Sequence, residues 1–172
     1  MSKAVLISIR PKWCELIASG KKTIEVRKTA PKLKTPFKCY IYCTKEGRGV
    51  GEIPYRHFYQ APNGPRHFIG GTVIGEFICD RIYGIVPDEN GWGEEYGYSE
   101  HDCLSDSEMA AYLGDRSGLG WHISELVIYD VPKNLSDLRL YSTSVVIELG
   151  LPMPTHEIKS PPQGWCYVKE LP

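Results

Sequence analysis

Residues 20–28, GKKTIEVRK, constrain the fold more than any other stretch. Gly20 closes an amphipathic helical pattern, and a β-branched run follows at once. In strand spacing, Ile24 and Val26 share one face, and Thr23, Glu25 and Arg27 share the other. The apolar pair needs a core. The opposite face sets a carboxylate beside a guanidinium, with Lys21 and Lys22 in the turn just before. A strand holds two such charges in register, and an Arg fixed this way can meet phosphate or a polar base edge. Two readings of that face are open: the wall of a polar hollow, or the wet side of an edge strand.

The flanking segments supply the rest of the pattern. AVLISI, 4–9, reads as a buried strand, and Pro11 suits the first turn of the helix that follows. Over 12–19, Trp13, Leu16 and Ile17 fall at helical spacing. FKCYIYCT, 37–44, is a strand with Phe37, Cys39, Ile41 and Cys43 inward. Residues 45–70 hold many Gly and Pro and two copies of Arg-His-Phe, and read as an inserted loop. Basic and aromatic residues interleaved there suit single-stranded nucleic acid, or the loop serves as a contact surface for a protein partner. GTVIGEFICDRIY, 71–83, is the longest strand candidate, with Gly75 marking a bulge or bend. The acidic stretch 87–103 reads as loop. SDSEMAAYL, 105–113, is a short helix capped by Ser105 with Glu108 at the capping-box position. A strand is expected over 118–130, broken by Pro132, then a helical turn at 135–138. VVIELGL, 145–151, is a strand or an extra connection, residues 161–163 are a rigid spacer, and GWCYVKEL returns a last strand. Strands dominate, so the expected fold is α+β: a small twisted or closed barrel with a few short helices.

Composition narrows the class. A chain of 172 residues, 42% apolar and 24% charged, suits one globular core, and one domain over 1–172 is expected, with a C-terminal extension from 131. There is no run of eighteen apolar residues, and the start, MSKAVLISIRPKW, lacks a signal-peptide layout. A cytoplasmic location with no membrane partner is expected. The six cysteines then read as free thiols, and no paired zinc-ligand spacing is present. Neither metal nor cofactor is called for. The net charge of −1 conceals a split: residues 3–48 hold twelve of the twenty Lys and Arg against three Glu. A basic front on a neutral chain can still bind a polyanion through its local field.

Residues 20–27 also fit G-x-K-x-x-E-x-R through Gly20, Lys22, Glu25 and Arg27. This resembles the signature of the ASCH domain, a branch of the PUA-like β-barrel superfamily. LISIRPKWCELIASG before it, VIGEFICDRI, WHISELVIYD and the terminal PPQGWCYV are similar to a subgroup common in bacteria and phages. The resemblance implies a barrel with an RNA- or nucleotide-binding cleft beside the helix. It would place Lys22, Glu25 and Arg27 in the cleft, Arg10 and Trp13 at its rim, and Trp121 and His122 on a facing strand. A ring for stacking, cations for phosphate and a carboxylate for a base amino group form a coherent set. Some small ASCH-like proteins hydrolyse N-acylated cytidines and others act as ribonucleases, which is the alternative function. Lys22 matches the hydrolases, whereas Glu25 stands where they carry a nucleophilic Thr. Lys22 and Glu25 are then the candidate catalytic pair, with Glu108 as a second carboxylate or merely a helix cap.

Overall fold

The computed structural model describes residues 2–45, 56–88, 91–94, 103–141 and 157–172. β1 (Lys3–Ile9) is buried along all but its first residue, as its apolar run requires. Pro11 opens α1 (Pro11–Ala18), where its missing N–H would be unpaired anyway, and Cys14 and Ile17 face the core. Gly20, at φ 75°, makes the left-handed turn that delivers the chain to β2 (Ile24–Arg27). β3 (Phe37–Cys43) follows.

The stretch expected as an inserted loop contains an ordered hairpin, β4 (Arg56–Ala61) and β5 (Gly64–Ile69). Its period-2 pattern sends His57, Tyr59 and Phe68 inward. Pro62 and Asn63 form the two-residue turn, and Gly64, at φ 110°, opens the returning strand opposite Ala61.

The single strand expected over 71–83 is two strands, β6 (Val73–Cys79) and β7 (Ile82–Asp88). β8 (Gly91–Glu94) lies in the stretch expected as acidic loop. α2 (Asp106–Leu113) has the expected capping box. The strand expected over 118–130 is also divided, into β9 (Gly118–His122) and β10 (Ser124–Lys133). β10 runs through Pro132 because it is a sheet edge, where a missing donor is tolerated. A single 3-10 turn spans Leu135–Asp137, and β11 (Trp165–Lys169) ends the fold. The stretch 145–151 lies outside the described residues.

Two breaks explain the topology. At residues 80–81 and at Ile123 the chain leaves one sheet for another. One sheet has the order β10-β6-β3-β1-β11, a second β2-β9-β7-β8, and the hairpin is a third. β1 runs parallel to β3 and antiparallel to β11. Among the described residues no strand pairing closes a barrel, which corrects that expectation: the sheets meet through side chains rather than backbone ladders. One core cluster joins β1, α1, β3, β4, β5, β6 and β9 around Ile7, Ile41, Phe77 and Trp121. A second covers the other face of the five-stranded sheet with Leu6, Tyr40, Tyr42, Leu138 and Val168. No helix among the described residues is long and apolar enough to cross a membrane.

Gly75 sits where the ladders to β3 and β10 both slip register. A Cβ there would lie 2.3 Å from the Val127 carbonyl oxygen. Gly75→Ala is expected to destabilise the fold by about 1–3 kcal/mol in urea denaturation. Gly164→Ala, with open space around it, is the control and should change stability by less than about 0.5 kcal/mol.

Candidate functional site

β2 is buried on both faces. Val26 packs with Ile85, Met109 and Leu113, as the apolar alternation requires. The charged face is not a wet edge: Lys22, Glu25 and Arg27 are only 1%, 6% and 9% exposed. Glu25 sits between its two neighbours. Its Oε1 accepts from Arg27 Nη2 at 2.9 Å, and its Oε2 lies 3.6 Å from Lys22 Nζ. Arg27 Nη2 also donates to the Ser8 carbonyl of β1 at 2.6 Å. Two cations and one carboxylate leave a net positive charge held in a largely dry wall.

That wall bounds a cleft of about 1000 Å³. Arg10, Trp13, Lys22, Glu25 and Arg27 all line it. Trp13 lies 5.3 Å, ring centroid to nitrogen, from Lys22 Nζ, a cation–π contact that orients both groups. Lys28, Tyr112 and residues 161–165 also line the cleft, with Lys28 Nζ 5.1 Å from the Tyr112 ring centroid. Trp165 is fixed by its Nε1–H donating to Thr29 Oγ1 at 3.2 Å. The C-terminal segment is stitched to β1 by Ser8: its Oγ donates to the Pro162 carbonyl at 2.7 Å and its N–H to the Gly164 carbonyl at 2.9 Å.

Two residues expected to face the cleft do not line it. Trp121 is fully buried, edge-on to Phe37 at 5.8 Å and tilted against Trp165 at 6.1 Å. It backs Trp165 from within the core, because its large apolar ring is worth more there than in water. His122 follows on the opposite face of β9, where its Nδ1 meets Asp80 Oδ1 at 2.6 Å and its ring meets Tyr83 edge-on. The hydrogen bond to His122 holds the Asp80 carboxyl below its usual range. Lys28, Tyr112 and Trp165 are cleft residues that sequence spacing missed. Residues 161–163, expected only as a rigid spacer, form part of the wall beside Trp165.

Glu108 both caps α2 and lines the cleft. Lys12 Nζ sits 2.7 Å from its Oε1, which ties α1 to α2. That bond, helped by the Ser105 backbone and hydroxyl, holds Glu108 down at about 2. Cys14 and Cys39 have their thiols raised by burial, and burial pushes Cys79 up to about 12, so these sulfurs pack rather than react.

Residues 7–76 match the ASCH domain. The ASCH match begins inside β1 and ends inside β6, so it includes α1, the Lys22–Glu25–Arg27 cluster and the hairpin. The fold is similar over 97% of this chain to the crystal structure of ASCH from Zymomonas mobilis, with a TM-score of 0.59 and 88% of that chain covered. Variants of the same protein, one Tyr to Phe and one Ser to Ala, align with TM-scores of 0.60 and 0.58, covering 98% and 97% of this chain and 92% and 89% of theirs. All three share 19% sequence identity with this chain, so the likeness is one of fold. Among curated proteins nothing matches.

The buried cluster and the Glu108 cap each make a measurable demand. Arg27→Ala leaves Glu25 with Lys22 alone in a dry wall, and should cost about 3–5 kcal/mol in denaturant unfolding. Because Glu108 titrates lower when folded, its contribution is complete above the ordinary value of 4.5 and fades as pH falls towards about 2. Lys12→Ala should move the Glu108 titration, followed by carboxyl NMR, upward and shrink that acid-side loss of stability.

Proposed function

We propose that this cleft binds RNA or a nucleotide, and that the chain works as an ASCH binding module of the PUA-like bacterial and phage kind. The observation that carries the reading is the buried Lys22–Glu25–Arg27 cluster opening on a cleft walled by Trp13, Tyr112 and Trp165. A net positive charge in a low-dielectric wall favours an anion, and the adjoining rings offer a base a surface for stacking. Phosphate oxygens meet Arg10, Lys28 and the Arg27–Lys22 pair. Glu25 keeps its two cations aimed rather than leaving them to collapse into solvent.

The 3.6 Å approach of Lys22 to Glu25 supports a second reading, hydrolysis of RNA or of an N-acylated cytidine. Glu25 would activate water as general base, and Lys22 would stabilise the developing oxyanion. Turnover of either substrate that disappears in a folded Lys22→Met variant selects this reading. Binding without product selects the module.

Arg10 is the clean probe because it is exposed and lines the cleft, so its loss spares the fold. Arg10→Ala is expected to weaken single-stranded RNA uniformly across sequences. It should also lower the slope of log affinity against log salt by about 0.7, one phosphate contact on a single strand. Fluorescence anisotropy over a salt series measures both. An unchanged affinity and slope would overturn the cleft assignment.

A further inference from the structure

The β4–β5 hairpin is the feature that the cleft does not use. Its inner face is fixed to the body: Tyr59 and Phe68 enter the main core, and His57, stacked on Phe68 at 5.4 Å within the hairpin, has its Nδ1 3.3 Å from Glu15 of α1. Its outer face is open. Phe58 and His67 are cross-strand partners there, with ring centroids 5.8 Å apart, and Phe58 is 64% exposed. Arg56 and Gln60 are exposed beside Phe58 on the same strand face. Residues 56–69 contain no Asp or Glu, and Arg66 reaches out to Asp130 at 2.7 Å.

The hairpin also adjoins the cleft. Gly71, just past β5, donates its N–H to the Cys43 carbonyl at 2.8 Å, and the next residue, Thr44, lines the cleft. α1 presents Trp13 to the cleft and Glu15 to the hairpin, so the two surfaces lie on either side of one helix. We infer that the outer face of the hairpin is a second contact for the same single-stranded RNA, with a base stacked on the Phe58–His67 pair and a phosphate on Arg56. This rests on the cleft reading, because the strand is the continuation of the one held there. Charge decides the occupant. Phe58 is ringed by Arg56, Gln60 and His67 rather than by apolar side chains. The Arg56 cation beside an open ring, with no carboxylate on the hairpin, matches a polyanion whose units carry π faces.

Length dependence tests the inference, using a dinucleotide and an oligouridylate of about twelve nucleotides on the full chain. Phe58→Ala should weaken the longer RNA about tenfold, the loss of one base–ring stack, and leave the dinucleotide unchanged. Phe58→Trp should restore the longer RNA and show quenched indole emission on binding. If Phe58→Ala binds both lengths like the parent while Arg10→Ala loses both, the hairpin is no RNA contact, and a protein-facing role replaces it. If the parent binds neither length, the cleft reading itself has failed and takes this inference with it.

Discussion

Glu25 accepting from Arg27 beside Lys22 is the interaction on which the rest of the structure depends. Burying three ionisable groups is expensive, and their mutual attraction only roughly offsets the desolvation. An apolar trio of equal volume would hold the sheets at least as well. The cluster therefore makes more sense as a positioning device than as a source of stability. Arg27 Nη2 bonds both the Glu25 carboxylate and the Ser8 carbonyl, so a guanidinium that would otherwise sample many rotamers is confined to one. Lys22 is confined by Glu25 on one side and the Trp13 ring on the other.

The same contact explains how an open-sheet fold makes a cleft. β2 belongs to the four-stranded sheet and Ser8 to the five-stranded one. No backbone ladder joins those two sheets among the described residues. Arg27 crosses the gap and pins the two together at one side, while Ser8 holds residues 162–164 on the other. The hollow is the space left between sheets that are joined by side chains.

Much of this was legible in the sequence where the local signal and the tertiary demand agree. The apolar run of β1, Pro11 at the start of α1, Gly20 after it, the Ser105–Glu108 cap and the Gly75 slip each have a short-range cause. The ends of strands were less visible. A continuous β-branched run such as 71–83 carries no mark of where the chain changes sheets, because that break is set by what packs on either side. The hairpin is obscured because Pro62, Gly64 and Pro65 resemble loop composition, although a two-residue turn at Pro62-Asn63 and the alternation of His57 and Tyr59 fit a hairpin pattern. In the site, Lys22, Glu25 and Arg27 come from one short motif and were found together. Tyr112 and Trp165 are 85 and 138 residues from Arg27, and no spacing rule reaches that far. Trp121 was misplaced because alternation gives its face but not its depth: it shares a sheet face with Glu25, yet Trp165 covers it.

The charge split along the chain acquires a different meaning once folded. The basic first third supplies Arg10, Lys22, Arg27 and Lys28 to one wall. The acidic middle third supplies Glu108 to the other, where Lys12 already holds it. The acid therefore does not sit as an open repeller of phosphate: it is neutralised locally and fastens α2 against α1. A wholly basic cleft would grip any polyanion, at a price in self-repulsion. Here one carboxylate aims the buried cations and another is held by Lys12 at the start of α2, so the cations lie between the Trp13 and Trp165 walls with each acid already paired. Outside the cleft, salt screens such charges within about a Debye length, some 8–10 Å at ordinary ionic strength. On the proposed binding role, selectivity comes from what fits between the rings rather than from long-range attraction. That favours a single strand with a base free to enter over a duplex whose bases are already stacked.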